Sequence, residues 1–233
     1  MKKEGSIGSA VSAARSQTIA LTGVLSAVVA ILTFVVIPAP QPLGGFDASS
    51  ILVLSLPILL GTEIGTAIVC VGEFVGTLFL MLIGLAAPYY VPGIVAVRGS
   101  EAYIVGKIAE SGLFGRKKEG RRELFAVSLG PVWETFGFIA ANYYLYYLLM
   151  GPELAVANSV YLLLVLVDLV WVAPAIAVLS AVRDWISSSH TDIRLELQAA
   201  GDTKKTLFRI SAIFIISCWA LLLLIPFVLT SWF

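Results

Sequence analysis

Long apolar runs separated by short polar loops constrain this chain more than any other feature of its sequence. The runs lie at about 16–37, 47–60, 64–86, 90–111, 123–149, 154–182 and 207–229. A membrane-spanning helix needs about 20 apolar residues, and most of these runs reach that length. The chain is 59% hydrophobic and 13% charged, whereas about a quarter of the residues in a soluble domain are charged. We therefore predict an all-α membrane protein, a polytopic helical bundle that forms one domain over residues 1–233.

The basic residues alternate between loops and so predict the orientation of the chain. They cluster before the first run, in the loop near 112–122, and between 183 and 209, whereas the loops at 38–46, 87–89 and 150–153 contain none. Positively charged loops stay on the cytoplasmic side of a membrane. We expect a plasma-membrane protein with its N-terminus inside and its C-terminus outside. Residues 186–206 then form a cytoplasmic polar loop, and residues 207–230 form an additional, seventh transmembrane helix.

Charge and motif content argue against several classes of function. The formal net charge is zero, so nothing points to a nucleic-acid partner. His190 is the single histidine, and Cys70 and Cys218 form no CxxC pair, so we expect no metal site. No HExxH or GxSxG motif is present. We therefore expect neither an enzyme nor a bound cofactor.

Residues 44–81 are typical of two apolar helices joined by a tight turn near Gly61. Asp47 stands where a helix N-cap is expected, because its side chain can accept hydrogen bonds from unpaired backbone N–H groups. The second helix carries a stripe of small residues, Gly61, Gly65, Gly72 and Gly76. Such a stripe lets another backbone approach closely, and ordinary packing inside the protein is the favoured interpretation. Glu73 lies beside the stripe, where a carboxylate usually faces protein or water.

Four charged residues fall at a similar depth in three consecutive predicted spans. With a rise of about 1.5 Å per residue, Arg98, Glu101, Glu134 and Asp168 all lie near the middle of the membrane. Ionisable groups in a membrane must be paired or hydrated, which makes them functional candidates. One cation against three acids predicts a polar solute site for a cationic or strongly hydrogen-bond-donating ligand. The alternative is an ion-pair cluster that only fixes helix packing.

Local spacing predicts two further features of these spans. Arg98 with Glu101, and Lys107 with Glu110, are each separated by three residues, so each pair can form an ion pair within the fourth span. Pro174 lies inside the sixth run, where we expect it to kink the helix.

Several motifs occur in the order and spacing found in one transporter family. They are Gly23-xxx-Ala27 and Ser26-xxx-Ala30, Ile37-Pro-Ala-Pro40 leading to Gly45-Phe-Asp47, Leu56-Pro57 leading to Gly61-xxx-Gly65, Gly72-Glu73-xx-Gly76, Val97-Arg98-Gly99-Ser-Glu101 leading to Gly106, and Gly137-Phe138, Asn142-Tyr143, Gly151, Ala155 and Asn158. In these motifs, over about residues 10–185, the chain resembles the substrate-binding S-components of energy-coupling factor (ECF) transporters, which are prokaryotic vitamin uptake systems.

The resemblance implies a six-helix core at 10–185 and a subunit that catalyses nothing itself. Such a subunit captures a vitamin or vitamin precursor from outside and docks on a transmembrane coupling subunit that two ATPase subunits drive. Together with the intramembrane polar groups, the resemblance suggests these substrate-binding residues: Phe46, Arg98, Glu101, Glu134, Asn142, Asn158, Tyr161 and Asp168. For docking on the coupling subunit it suggests Gly23, Ala27 and Ala30.

The loop Pro38–Phe46 is predicted to be a lid over the outer cavity. Its three prolines restrict the backbone, and Gly44-Gly45 provides a hinge before the next helix. Phe46 would cap the cavity with an apolar ring. A simple connector is the alternative interpretation of the same composition.

Two features depart from the family pattern. S-components usually have six spans, and Tyr161 stands where many relatives carry glutamine, so the sequence names no particular vitamin. A proton- or cation-coupled secondary transporter remains the alternative function, with Glu73, Glu134 and Asp168 as relay groups. The chain has no internal repeat of the kind that such transporters often contain.

Overall fold

The computed structural model describes residues 4–38, 45–86, 90–111, 113, 119–165, 169–188 and 201–230. Its helices are α1 Glu4–Leu32, α2 Ser50–Leu59, α3 Thr62–Leu82, α4 Tyr90–Glu110, α5 Glu119–Met150, α6 Pro152–Val165, α7 Val172–Ser188 and α8 Gly201–Thr230. Two short strands, β1 Val36–Pro38 and β2 Gly45–Asp47, pair antiparallel between α1 and α2.

The described helices confirm the predicted fold class, an all-α membrane protein. Three of them contain segments long and apolar enough to cross a bilayer: Thr62–Leu82, Gly120–Ala141 and Thr203–Leu224. Ser16–Leu32 and Ser50–Leu59 are shorter apolar helices. The count of seven spans and the single-domain assignment stay predictions.

Helix α3 packs against α1, α2, α4 and α8, and its glycines explain how closely it does so. A Cβ atom added at Gly65 would lie 2.5 Å from the backbone nitrogen of Pro57 in α2. One added at Gly72 would lie 2.5 Å from Cβ of Val29 in α1. Both distances are shorter than van der Waals contact, so only glycine allows these helices to approach. The glycine stripe therefore serves packing inside the protein.

The turn between α2 and α3 is tight, as predicted, but α2 begins later than predicted. Gly61 has a φ of 89°, in the left-handed region that glycine adopts readily, and α3 starts at Thr62. Helix α2 starts at Ser50, so Asp47 is not its N-cap. Asp47 ends strand β2 instead, and its Oδ1 accepts a hydrogen bond from the N–H of Ser49 at 3.1 Å. A short acidic side chain commonly stabilises a turn in this way.

The predicted sixth span, 154–182, is not one helix. Its described parts are α6, a 3₁₀ turn at Leu169–Trp171, and α7, which begins at Val172. The predicted kink of a continuous helix at Pro174 is therefore wrong. Pro174 lies in the first turn of α7, where the missing N–H of proline removes no bond within the helix.

The N-termini of α3 and α8 lie near the C-terminus of α4, at the end of the bundle away from the hairpin. Lys107 and Glu110 in α4 form the predicted i, i+3 ion pair, with Nζ and Oε2 3.3 Å apart. Oε1 of Glu110 accepts a hydrogen bond from the N–H of Thr62 at 2.9 Å. The carboxylate thereby caps the N-terminus of α3, which its own N-cap Gly61 cannot do.

Helix α8 corresponds to the additional helix predicted at 207–230, and it packs along α3 and α4. The rings of Phe74 and Phe214 meet edge to face with centroids 5.4 Å apart. The rings of Tyr103 and Phe208 stack at 5.7 Å. These aromatic pairs fix α8 against the bundle at two levels.

Candidate functional site

A buried arginine in α4 joins three carboxylates that come from three other elements. The side chain of Arg98 is 4% exposed, and its Nη1 lies 2.8 Å from Oδ1 of Asp47 at the end of β2. The same nitrogen lies 3.1 Å from Oε1 of Glu73 in α3. Its Nε lies 2.8 Å from Oε1 of Glu134 in α5. Arg98 therefore links the hairpin to three helices of the bundle.

Two serines at the start of α2 complete the coordination of the guanidinium. The Oγ of Ser49 accepts a hydrogen bond from Nη1 of Arg98 at 2.6 Å, and the Oγ of Ser50 accepts one from Nη2 at 3.0 Å. The hydroxyl of Ser49 lies within donor distance of both Glu73, at 2.6 Å, and Asp47. Because a hydroxyl has one proton, it donates to one of these carboxylates at a time. Each of the three guanidinium nitrogens therefore donates at least one hydrogen bond.

Burial makes this network energetically demanding. The side chains of Glu73 and Glu134 are fully buried, whereas that of Asp47 is 17% exposed. Removing charged groups from water costs several kcal/mol per ion unless excellent geometry and further hydrogen bonds compensate. The three short arginine contacts and the two serines supply part of that compensation, and Oε2 of Glu73 has no hydrogen-bond partner among the described residues. We call the six residues Asp47, Ser49, Ser50, Glu73, Arg98 and Glu134 the arginine network.

Glu101 lies next to this network, against helix α5. It is buried, and a Cβ atom added at Gly130 would lie 2.8 Å from its Oε1. The absence of a side chain at Gly130 therefore makes room for the carboxylate between α4 and α5. The structure brings Arg98, Glu101 and Glu134 into one buried polar region, as their shared depth predicted.

The β-hairpin contacts the arginine network at its base, through Asp47 at the end of β2. Its register pairs Val36 with Asp47 and Ile37 with Phe46, and the N–H of Ala48 donates to the carbonyl oxygen of Val35 at 2.9 Å. The segment predicted as a lid thus contains a paired hairpin stem. The tip, at 39–44, lies outside the described residues, as does the side chain of Phe46.

The remaining residues predicted to bind substrate cannot be placed in the site. The side chains of Asn142, Asn158 and Tyr161 lie outside the described part, and so does the whole of Asp168. Sequence reasoning did not assign Asp47, Ser49, Ser50 or Glu73 to the site. Two of them carried a signal: Asp47 as a cap candidate, and Glu73 as a carboxylate in an apolar run.

The family model described as "ECF-type riboflavin transporter, S component" matches residues 14–181. This match covers well over half of the chain and includes every member of the arginine network. The chain belongs to this family of S components. No curated protein and no solved structure matches the chain. The chain is therefore a membrane-embedded, substrate-binding subunit of an ECF-type importer, and membership implies a vitamin-like substrate with coupling and ATPase partners.

One helix of this S component lies outside the matched region. Helix α8, Gly201–Thr230, begins after the last matched residue and packs on two helices inside the match. The arginine network lies within the matched region, whereas α8 does not.

The residues predicted to dock on the coupling subunit lie on two sides of α1 in this S component. Gly23 and Ala27 are exposed, and nothing lies within 4 Å of a Cβ atom added at Gly23. Ala30 is 6% exposed, and its carbonyl oxygen would lie 3.1 Å from a Cβ atom added at Gly76 in α3. Ala30 therefore packs inside the protein, because it faces α3.

Proposed function

We propose that this S component captures riboflavin or a closely related flavin from the outer side of a prokaryotic plasma membrane. The proposal takes the substrate class from the name of the family whose model matches residues 14–181. The observation that carries the mechanism is the ion pair between Asp47 and Arg98, which fixes the inner end of the hairpin to the bundle. This contact supports the proposed role of the loop Pro38–Phe46 as a lid, because it anchors the end of the loop next to the bundle.

The contacts of the arginine network favour a structural role for its carboxylates. Glu73 and Glu134 are fully buried, and each already contacts Arg98. A ligand would reach them only if the network opened, which costs about 3–5 kcal/mol when a buried ionic partner is lost. The sequence-based hypothesis of a cationic ligand relied on Glu101, Glu134 and Asp168, of which Glu134 contacts Arg98. Because the family model that matches the chain is named for riboflavin, we favour a neutral ligand such as a flavin.

We propose that the ligand is bound above the network, towards the hairpin. Phe46, Asn142, Asn158, Tyr161 and Asp168 remain the proposed contact residues. An isoalloxazine ring has an edge of alternating carbonyl and N–H groups, which amide side chains complement because they both donate and accept. Its flat face suits stacking on an aromatic ring such as Tyr161 or Phe46. Arg98, Glu101 and Glu134 would then position the helices beneath the ligand.

We further propose that Gly23 and Ala27 form the docking face for the coupling subunit. Both are exposed on α1, and small residues let a partner helix approach closely. Ala30 is left out of this face because it is buried against α3. The distribution of basic residues among the loops favours a cytoplasmic N-terminus, on the side where two ATPase subunits would drive release of the vitamin.

Flavin binding can be tested directly by titrating purified protein with riboflavin and following the quenching of flavin fluorescence. We expect saturable binding of riboflavin and none of thiamine, a cationic vitamin. Asn158→Ala should weaken binding, whereas Ala157→Ser, an exposed neighbour on α6, should not. Binding of thiamine instead of riboflavin would contradict the flavin proposal and favour the cationic ligand.

Uptake into liposomes separates the importer from a secondary transporter. We expect riboflavin uptake only when the coupling subunit, both ATPase subunits and ATP are present. Uptake by the isolated chain, driven by a proton gradient without ATP, would contradict the importer mechanism.

A further inference from the structure

A crevice lies where α8 packs on α3 and α4, away from the arginine network. It has a volume of about 240 Å³. Its lining is mostly apolar and consists of Thr66, Ser100, Tyr103, Phe208, Ala212, Ile215 and Ile216. More than half of these lining residues belong to α8, so the crevice exists because this additional helix is present. The flavin mechanism leaves it without a role.

A polar cavity lies about one helical turn from the crevice, towards the N-terminus of α3. It has a volume of about 170 Å³, and its lining includes Thr62, Glu63, Glu110 and Lys204. Thr62 and Thr66 are four residues apart, so the two spaces are offset by about one helical turn, or roughly 6 Å. An apolar space in line with a polar one, both bounded by the same three helices, matches the shape of an amphiphile.

Basic residues surround the polar end of this junction. Lys204 lies four residues before Phe208 in α8, and Lys107 lies four residues after Tyr103 in α4, so each is on the crevice face one turn away. The Nζ of Lys107 lies 5.8 Å from the centroid of the Tyr103 ring. Lys205 extends the basic surface of α8.

Among the described side chains, cations outnumber acids at this end. The cations are Lys107, Lys204, Lys205 and Arg209, and the acids facing them are Glu63 and Glu110. Lys107 is paired with Glu110. Among the side chains that the structure describes, no carboxylate lies within ion-pair distance of the other three cations. Within the described part of the chain, this cluster of cations favours an anionic ligand.

We propose that this junction binds an anionic phospholipid, with an acyl chain in the apolar crevice and the phosphate on Lys204 and Lys205. Basic pockets between transmembrane helices bind acidic lipid headgroups by charge, and the crevice supplies the matching apolar surface. The lipid would complete the packing of α8 against α3 and α4. Since α8 lies beyond the region matched by the family, the site goes beyond the family's function and does not depend on which vitamin is transported.

The test measures lipid binding to the purified full-length protein by native mass spectrometry, with phosphatidylglycerol and phosphatidylcholine of equal chain length. We expect the wild-type protein to prefer phosphatidylglycerol. Lys204→Gln and Lys205→Gln should each lower this preference about fivefold, which corresponds to the roughly 1 kcal/mol that one basic residue contributes at an anionic membrane surface. Arg121→Gln, an exposed basic residue in α5, is the matched control and should leave the preference unchanged.

A second pair of variants tests the crevice. Ala212→Phe fills the crevice and should abolish binding of the most tightly bound lipid, whether phosphatidylglycerol or phosphatidylcholine. Ile213→Phe changes the neighbouring residue, which is 64% exposed, and should leave lipid binding unchanged. The proposal is overturned if the lysine variants keep the wild-type preference, or if Arg121→Gln lowers it equally. It is also overturned if Ala212→Phe and Ile213→Phe retain lipid equally well. The lysine variants leave the crevice unchanged, so the charge test does not depend on how the protein tolerates the larger side chain in the crevice.

Discussion

Asp47→Asn tests whether the arginine network holds the hairpin closed. The substitution keeps the shape of the side chain and an oxygen for the N–H of Ser49, but removes the charge that faces Nη1 of Arg98 at 2.8 Å. Breaking a fully buried ion pair costs about 3–5 kcal/mol, and losing an exposed pair costs about 0.2–1 kcal/mol. At 17% exposure, Asp47 lies between these limits.

We therefore expect the hairpin to be destabilised by about 1–2 kcal/mol, which is roughly a five- to thirtyfold increase in its opening. Hydrogen exchange provides the assay, because the N–H of Ala48 donates to the carbonyl of Val35 at the base of the hairpin. Its exchange should accelerate by that factor without any ligand present. With ligand bound, its release should accelerate by a similar factor.

Glu134→Gln is the matched control for this prediction. It makes the same chemical change in the same network, but on α5, where Glu134 contacts Arg98. We expect it to lower the stability of the whole protein while it leaves the exchange of Ala48 relative to the bundle unchanged. Wild-type exchange at Ala48 in Asp47→Asn would refute the reasoning, because the ion pair would then not hold the hairpin.

Three further predictions concern packing, docking and capping. Gly65→Ala should lower the free energy of unfolding by about 1–3 kcal/mol, because the added Cβ would overlap the backbone of α2. Gly23→Ala is the control and should be neutral, because nothing lies within 4 Å of its added Cβ. Ala27→Leu should prevent copurification with the coupling subunit but leave ligand affinity unchanged, and retained copurification would exclude this face. Glu110→Gln should lower the free energy of unfolding by about 0.3–1 kcal/mol, measured by thermal denaturation, because its amide oxygen can still accept from the N–H of Thr62 but the negative charge at the N-terminus of α3 is lost.

Much of the fold could be predicted because its signals are local in the sequence. Run length and composition determined an all-α membrane protein, and Gly61 determined the turn at which α3 begins. The ion pair of Lys107 with Glu110 followed from their i, i+3 spacing. These properties depend on residues within a few positions of one another, so no knowledge of the packing was needed.

The partners of Arg98 were decided by the tertiary structure. Helical spacing suggested an ion pair with Glu101, three residues away, but the carboxylates that the structure brings to Arg98 include Asp47, Glu73 and Glu134 from three other elements. In this network Asp47 contacts Arg98 and is not the cap of α2, which starts at Ser50. Such pairs depend on how far each helix is rotated about its axis and shifted along it. Packing against glycines such as Gly72 sets this rotation and this shift. Neither quantity can be read from the linear order of the residues.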